Sequence, residues 1–331
     1  MYKEKAAITA VGGYVPDGVI TNAELAESID TSNEWIVART GIHQRRILED
    51  TAATSDMAVT AVQRMLEHTT ARATDIDLVI CATVSPDHVY PATATIIADK
   101  IGAKNAWGFD VAAACAGFLF ALWSAAQFIE AGTHERIIVI GADTMSRKVN
   151  NQDRETCILF GDGAGAVLLE RGGNELGLID GLMKSDGSGR EFLYQKAGGS
   201  KFPSTEVNVR AGHHFVSQQG SIVFKHAVRG MTEVSRELMR RNQLNIADLS
   251  FFVPHQANRR IIDAAASNLG LRHDQTLVNI SRYGNTTNAS IPLCLWDNLD
   301  KLRRGQSILL ATFGGGFSWG GIYLRWAFDH E

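Results

Sequence analysis

One of the four cysteines, Cys115, has the sequence setting of a nucleophile. It lies in FDVAAACAGF, where an apolar run leads into small residues, the cysteine, Gly117 and a helical stretch. Small residues permit a tight strand-to-helix turn that lifts a side chain off a sheet. At a helix N-terminus we expect a lowered thiol pKa that favours the thiolate. A buried structural cysteine is the competing interpretation, and it is favoured for Cys81 and Cys294, which lack such a turn.

Two other segments carry polar residues that could join a cysteine in catalysis. His255 stands in FFVPHQANRR, just past an apolar run, at the carboxyl end of a predicted strand, where α/β proteins place their sites. Asn285 lies in SRYGNTTNASIP, which is rich in glycine, hydroxyl and amide groups. Taken singly, the histidine fits a core or capping residue and the asparagine fits a turn. The glycines of FGGGFSWGG could present bare backbone N–H groups to an oxyanion.

A cysteine, a histidine and an asparagine admit two chemistries. In a papain-like hydrolase the histidine deprotonates the cysteine and the asparagine orients the histidine. In a decarboxylating condensation both residues donate hydrogen bonds to a thioester oxygen, and such neutral donors stabilise the enolate that remains when carbon dioxide leaves. No second cysteine is placed to act as the base of a thiolytic enzyme. The residues alone leave condensation, hydrolysis and a non-catalytic binding module open.

The secondary-structure elements predicted around these residues are those of a layered α/β protein. Continuous apolar runs without alternation predict strands that are covered on both faces. The predicted strands are 76–83, 137–141, 164–169, 249–253, 277–280 and 307–312. A capping-box pattern, Thr31-x-x-Glu34, predicts a helix start near residue 31.

An internal repeat predicts two halves of like architecture. Three segment pairs recur in the same order at nearly constant separation. The pairs are 75–83 with 248–256, 99–104 with 267–272, and 130–142 with 303–315. We therefore predict one half at 1–175, which carries the cysteine, and one at 176–331, which carries the histidine and the asparagine. If the two halves pack about a pseudo-dyad, the strand ends that carry Cys115, His255 and Asn285 come together. Chance similarity between α/β segments is the alternative explanation of the repeat, and it predicts no such convergence.

Composition narrows the function classes. The chain has 331 residues, 45% of them hydrophobic and 21% charged, with a net charge of −4. These values argue against disorder and against a non-specific nucleic-acid binder, which is normally basic. No C-x-x-C spacing occurs, so neither a zinc knuckle nor a thioredoxin motif is present, and no metal site is predicted. Scattered cysteines and the lack of a signal-like start predict a cytoplasmic protein without a membrane span, and the uncharged stretch 111–129 is interpreted as a core helix.

Six ordered motifs resemble those of the β-ketoacyl-acyl-carrier-protein synthase III family, the condensing enzymes that start bacterial type II fatty-acid synthesis. The motifs are TSNEWIVARTGI, FDVAAACAGF, FGDGAGAVLLE, VPHQANRR, YGNTTNAS and TFGGGFSWG. The resemblance implies a thiolase fold, with two pseudo-symmetric α/β halves in a five-layer αβαβα arrangement, and a homodimer. It implies no cofactor, with acyl-CoA and malonyl-acyl carrier protein, through its phosphopantetheine, as substrates.

The resemblance also implies roles by position. Cys115 would accept the acyl group as a thioester, while His255 and Asn285 would stabilise the malonyl enolate. Backbone N–H groups of Cys115 and Gly315 would form the oxyanion hole. Coenzyme A would contact four residues, Thr31, Trp35, Arg39 and Arg154. The acidic carrier protein would contact Lys225, Asn258 and Arg260. It would be attracted by a predicted basic patch, which consists of Lys225, Arg229, Arg236, Arg240, Arg241, Arg259 and Arg260.

Departures from the family pattern bear on the choice of primer. Thr287 and Asn288 stand where the family commonly has Ser-Ala, so a bulkier amide could alter the site or only a packing contact. Tyr90, where Phe is frequent, would reach the primer pocket of the dimer partner. Asn285 in the third catalytic position disfavours the elongating synthases, which carry Cys-His-His. A specialised relative that condenses or transfers acyl groups in secondary metabolism is the alternative.

Overall fold

The chain folds as two main β-sheets with helices between and outside them, and the computed structural model describes residues 4–173 and 175–329. The strands are β1 (Lys5–Tyr14), β2 (Gly18–Thr21), β3 (Gln44–Ile47), β4 (Leu78–Ala82), β5 (Trp107–Val111), β6 (Ile137–Thr144), β7 (Asp162–Gly173), β8 (Gly177–Ser185), β9 (Leu193–Gln195), β10 (Val216–Gln218), β11 (Phe251–Pro254), β12 (Ser307–Gly314) and β13 (Ser318–Arg325). The helices are α1 (Asn22–Ser28), α2 (Asn33–Thr40), α3 (Thr54–Leu66), α4 (Thr93–Ile101), α5 (Gly117–Glu130), α6 (Glu206–Arg210), α7 (Gly220–Arg241), α8 (Arg259–Leu269), α9 (Ile280–Tyr283) and α10 (Ser290–Trp296).

The two sheets share one connection order. The first runs β1-β7-β6-β4-β5, with β4 parallel to both β5 and β6, and the second runs β11-β12-β13-β8. A single parallel bridge between Phe252 and Thr276 adds the next segment of chain beside β11. With that segment, the second sheet repeats the order of the first. The first sheet lies within residues 5–173 and the second within 177–325, while the halves 1–175 and 176–331 stay a prediction.

Helices complete five layers. α5 and α10 lie between the sheets, α3 and α4 cover the outer face of the first sheet, and α7 and α8 cover the second. The central layer buries large apolar side chains such as Phe118, Leu122 and Trp326. Because α5 is covered on both sides, it has no need of a polar face, which accounts for the uncharged stretch 111–129. In the described part of the chain, no helix combines the length and the apolar character that a bilayer crossing requires.

One predicted strand is reduced to a single bridge and an irregular segment before a helix. The apolar run at 277–280 predicts extended chain, but after the bridge at Thr276 the chain turns and α9 begins at Ile280. The side-chain oxygen of Gln256 accepts hydrogen bonds from the backbone N–H groups of Asn279 and Ile280, at 3.0 and 3.3 Å. This buried amide takes the donors that a neighbouring strand would otherwise use, so the ladder stops there.

Gly141 of β6 allows the closest approach between the first sheet and the segment that carries Asn285. A Cβ atom at this position would lie 2.1 Å from the backbone oxygen of Asn288. We therefore expect Gly141→Ala to lower the free energy of unfolding by about 3 kcal/mol, because backbone must move. Gly199→Ala is the control, since a Cβ atom there would meet no heavy atom of the described residues within 4 Å. Equal urea-unfolding midpoints for the two variants would contradict this account.

Candidate active site

Cys115 lies on the tight turn between β5 and α5. Ala114, just before it, has a φ of 47°, a conformation that a non-glycine residue adopts at a cost of about 1 kcal/mol. The turn is fixed from the second sheet, because the hydroxyl of Thr312 donates to the Cys115 carbonyl at 2.8 Å. Gly314 lets the end of β12 approach, since a Cβ there would lie 2.6 Å from the Cys115 nitrogen. The predicted strand-to-helix turn is confirmed.

The predicted lowering of the Cys115 pKa is wrong. Burial raises the pKa of the thiol to about 12, and the carboxylate of Asp143 acts in the same direction. The N–H groups at the start of α5 are already engaged, because Phe118 donates to the side-chain oxygen of Asn288 at 3.0 Å and Gly117 donates to the Ala114 carbonyl at 3.1 Å. The helix terminus therefore offers the sulfur less stabilisation than the sequence pattern suggested.

His255 is held as a neutral imidazole with one free nitrogen. Its Nδ1 lies 2.6 Å from the hydroxyl of Ser290, the first residue of α10. Burial lowers its pKa to about 3, so the ring carries no charge at neutral pH. Nε2 has no hydrogen-bond partner among the described residues, although it is shielded from solvent. A serine hydroxyl can donate or accept, so Nε2 is able to serve as acceptor or donor.

Asn285 is fixed so that its amide group presents a donor. Its backbone donates to the Leu159 carbonyl at 2.8 Å and accepts from the Gly161 N–H at 3.1 Å. The side-chain oxygen accepts from the N–H of Thr287 at 2.9 Å, in a turn where Thr287 has a φ of 47°. Within the described residues Nδ2 has no partner. Asn285 therefore offers an N–H₂ group, and no hydrogen bond joins it to His255 in the described residues.

These three predicted residues line one cavity of about 280 Å³. Most of the remaining wall is apolar and includes Val84, Met145, Leu159, Phe160, Val223, Phe224, Met231 and Phe313. Residues of β9 and β10 cover one side. An apolar cavity with a few convergent polar groups is the usual form of a small-molecule site. The structure thus brings the sulfur, the imidazole and the carboxamide to one place.

Gly315 and Tyr90 are among the predicted site residues that do not line this cavity. Gly315 lies beside its wall, because a Cβ there would be 2.5 Å from the carbonyl of Leu193, a lining residue. Tyr90 is 85% exposed and follows Val89, which is 90% exposed. The oxyanion role of Gly315 and the contribution of Tyr90 to a partner's pocket stay predictions.

The residues predicted to contact coenzyme A gather around Trp35. The guanidinium groups of Arg39 and Arg154 lie over its ring, 5.1 and 4.8 Å from the centroid. Arg154 also donates to the carbonyl of Asp30 at 2.7 Å. The buried hydroxyl of Thr31 has no partner among the described residues. The group forms an aromatic and cationic surface that suits a nucleotide.

The residues predicted to contact the carrier protein lie at the edge of the cavity. Asn258 lines it, caps α8 and donates to the carbonyl of Arg39 at 3.1 Å, which links it to the Trp35 group. Arg260 lies over the ring of Phe224, 5.5 Å from its centroid. Phe224 lines both the cavity and a surface groove that contains Lys225 and Arg229. These cations therefore surround one entrance region.

Other arginines of the predicted basic patch are engaged in the fold. Arg236 donates to the carbonyl of Asn268 at 2.5 Å. Two further contacts are ion pairs, Arg240 with Glu237 at 2.7 Å and Arg241 with Asp180 at 2.8 Å. Such partners reduce the charge that these side chains offer to a docking protein.

Sequence reasoning missed the groups that orient the site. Ser290 lies inside the YGNTTNAS motif, where nothing in its spacing points to His255. Asp143 was detectable, since it closely follows the predicted strand 137–141, a position typical of site residues. The departure at Asn288 proves to be a contact behind the site, where its Nδ2 donates to Asp143 at 2.8 Å.

Comparisons with known proteins agree with this geometry. A family model described as 3-Oxoacyl-[acyl-carrier-protein (ACP)] synthase III matches residues 109–187, and one for the C terminal part of that family matches residues 239–326. Beta-ketoacyl-[acyl-carrier-protein] synthase III 2 of Bacteroides thetaiotaomicron is 47% identical over 330 residues, which cover 99% of this chain and 98% of the relative.

Solved structures give the same result. The crystal structure of 3-oxoacyl-(acyl carrier protein) synthase III from Pseudomonas aeruginosa is 36% identical, with a TM-score of 0.90, over 99% of this chain and 100% of that one. The priming β-ketosynthase of the R1128 polyketide pathway is 33% identical, with a TM-score of 0.92, over 99% of this chain and 98% of that one. The chain therefore belongs to the 3-oxoacyl-acyl-carrier-protein synthase III family.

Proposed function

We propose that the protein catalyses the initiating condensation of bacterial fatty-acid synthesis. A short acyl-CoA and malonyl-acyl carrier protein give 3-oxoacyl-acyl carrier protein, coenzyme A and carbon dioxide. The observation that carries this proposal is a pair of neutral groups in the cavity that holds Cys115. Nε2 of His255 is buried without a partner among the described residues, and the side-chain oxygen of Asn285 is bonded to Thr287, so that its N–H₂ group is left to donate. Two neutral donors suit an enolate, because they stabilise its oxygen without supplying an acidic proton to its carbon.

In the first half-reaction the sulfur of Cys115 attacks the thioester carbonyl of acyl-CoA. A new C–S bond forms to Cys115, and the C–S bond to coenzyme A breaks. The proton of the Cys115 thiol passes to the departing coenzyme A thiolate, with Nε2 of His255 as relay when Nδ1–H donates to Ser290. The backbone N–H groups of Cys115 and Gly315 stabilise the tetrahedral oxyanion.

In the second half-reaction malonyl-acyl carrier protein replaces coenzyme A, which makes the kinetics ping-pong. The bond to the malonyl carboxylate breaks, carbon dioxide leaves, and its electron pair forms an enolate held by His255 and Asn285. The carbanion carbon attacks the acyl group on Cys115, so a C–C bond forms and the Cys115 thiolate departs. One proton from solvent restores the thiol.

The hydrolase alternative fits the geometry less well. In a papain-like site the asparagine orients the histidine. Here Ser290 holds His255, while the side-chain oxygen of Asn285 is bonded to Thr287. A specialised relative in secondary metabolism remains the second candidate, because a solved priming ketosynthase of a polyketide pathway shares the fold along the whole chain. Competition among acyl-CoA primers of different chain length, followed by product analysis, distinguishes the two.

The proposal includes the binding surfaces and the assembly. Coenzyme A binds with its adenine between Trp35 and Arg154, next to Arg39 and Thr31, after the Arg154 guanidinium moves off the Trp35 ring, and no cofactor is required. The carrier protein docks on Lys225, Asn258 and Arg260. The exposed Val89 and Tyr90 belong to a homodimer interface in which Tyr90 closes the partner's primer pocket. The enzyme works in the cytoplasm.

Asn285→Ala should separate the half-reactions. We expect acetyl transfer from acetyl-CoA to Cys115 to persist, since that step does not use the amide, and condensation to fall by about 10²- to 10³-fold through loss of an enolate donor. Intact-mass spectrometry measures the acetyl adduct, and 3-oxoacyl product formation measures condensation. Cys115→Ala is the control that should show no adduct. Equal loss of both half-reactions would remove the assigned role.

The raised pKa of Cys115 sets the pH dependence of its alkylation. Because the thiol is protonated at neutral pH, its reaction with iodoacetamide should accelerate by about tenfold per pH unit from about pH 6 to pH 9, without a plateau. Mass spectrometry locates the label, and Cys115→Ala reports any reaction of the buried cysteines. A plateau below pH 8 would show a preformed thiolate and a lowered pKa.

Charge attraction should affect the carrier protein more than the CoA substrate. Raising NaCl from about 50 to about 200 mM should increase KM for malonyl-acyl carrier protein more than KM for acyl-CoA. Lys225→Glu should raise the former about tenfold at the lower salt concentration, because a rim cation becomes an anion. Lys104→Glu, an exposed change away from the groove, is the control. If the two variants give the same KM, Lys225 has no part in docking.

A further inference from the structure

Lys148 is the cavity-lining residue whose role the reaction leaves unexplained. Among the lining residues in the described ranges, it is the one with a side chain that is ordinarily charged at neutral pH. Its neighbours in the wall include the apolar side chains of Val84, Met145 and Val216. An ammonium group in such surroundings loses water without gaining a polar contact for its charge.

No partner in the described part of the chain neutralises Lys148. The side chain is half-buried, and burial lowers its pKa, while the Asp143 carboxylate acts in the opposite direction. No hydrogen bond or ion pair to its ammonium is formed in the described residues. The adjacent Arg147 differs, since it is exposed and donates to the carbonyls of Glu49 and Ala52, both at 2.8 Å. Lys148 therefore lines the cavity without a hydrogen-bonding or ionic partner for its ammonium group among the described residues.

The position of Lys148 relative to the nucleophile follows from shared neighbours. Cys115 and Lys148 line the same cavity of about 280 Å³. Asp143 accepts a hydrogen bond from the hydroxyl of Thr287, which also lines the cavity. The backbone of Lys148 is fixed, because its carbonyl accepts from the N–H of Val216 in β10 at 2.7 Å. A group attached to Cys115 and one bound by Lys148 would share the inner cavity.

We propose that Lys148 binds a carboxylate carried by the acyl group of a thioester substrate. The inference rests on the proposed function, which brings acyl thioesters into this cavity. A carboxylate would provide the missing counter-charge and the missing hydrogen bonds. Two thioesters could bring it, the malonyl extender or a primer derived from a dicarboxylic acid.

The two sources differ in kinetics. A malonyl carboxylate leaves as neutral carbon dioxide, so its pairing with Lys148 exists in the bound substrate and weakens as the C–C bond breaks. Such an interaction lowers KM without raising kcat. A primer with a terminal carboxylate keeps its charge throughout acylation, so pairing would favour that primer over a neutral one of similar shape in kcat/KM.

The experiment compares the wild type with Lys148→Met, which keeps the chain length and removes the charge, and with Lys148→Arg, which restores a cation. Lys104→Met is the matched control at an exposed site. One arm measures acylation of Cys115 by succinyl-CoA and by 4-methylpentanoyl-CoA, whose isopropyl group resembles a carboxylate in shape. The other measures KM and kcat of the acetylated enzyme for malonyl-pantetheine, which lacks the carrier protein. Thermal melts confirm that each variant folds.

Loss of the ion pair should change the affected quantity by about tenfold, and Lys148→Arg should recover part of it. A fall in the ratio of succinyl to 4-methylpentanoyl transfer assigns the carboxylate to the primer. A rise in KM for malonyl-pantetheine without a fall in kcat assigns it to the extender. If Lys148→Met changes neither quantity more than Lys104→Met does, the inference is overturned while the proposed function stands. If no acyl group reaches Cys115 in the wild type, both are overturned.

Discussion

The carboxylate of Asp143, fully buried at the end of β6, is the interaction on which the site depends. One oxygen accepts hydrogen bonds from the segment 83–85, through the Thr83 and Ser85 hydroxyls and two backbone N–H groups. The other accepts from Thr287 and Asn288, which belong to the distant segment that carries Asn285. A buried charge is tolerated only when such donors surround it. Asp143 therefore joins the first sheet to the Asn285 segment directly behind the cavity.

This arrangement keeps the reacting groups neutral. Asp143 takes its hydrogen bonds from hydroxyl, amide and backbone donors, and none of these donors carries a charge. His255 is uncharged because burial lowers its pKa, and Ser290 occupies one nitrogen without adding charge. A protonated imidazole would be acidic enough to quench a carbanion, whereas a neutral N–H donor stabilises the enolate oxygen and leaves the carbon free to react. The site is therefore built for carbanion chemistry more than for hydrolysis.

Local pattern predicted the elements that hold the site, and distant contacts account for what it missed. The turn at Cys115, the position of His255 past β11 and the convergence of both with Asn285 follow from short motifs and the internal repeat. The raised pKa of the Cys115 thiol does not follow from these patterns. The side chain that accepts a hydrogen bond at the start of α5 belongs to Asn288, which is 170 residues from Phe118 in sequence. Lys148 likewise lies in the polar sequence SRKVNN, which is typical of an exposed segment. In the structure, however, Lys148 lines the cavity. Burial and counter-charge are properties of the assembled structure, so sequence spacing does not show them.

The high pKa of Cys115 also bears on the lifetime of the acyl-enzyme. In thioester exchange a thiol of lower pKa leaves faster, and an unperturbed cysteine thiol has a pKa of about 8.5. With its pKa raised by burial, Cys115 is a poorer leaving group than an unperturbed thiol, so the acyl-enzyme resists loss of its acyl group to water. A carbanion is a far stronger nucleophile than water, so it still displaces the Cys115 thiolate. Burial of the thiol therefore favours an acyl-enzyme that persists until the second substrate binds, as a ping-pong condensation requires.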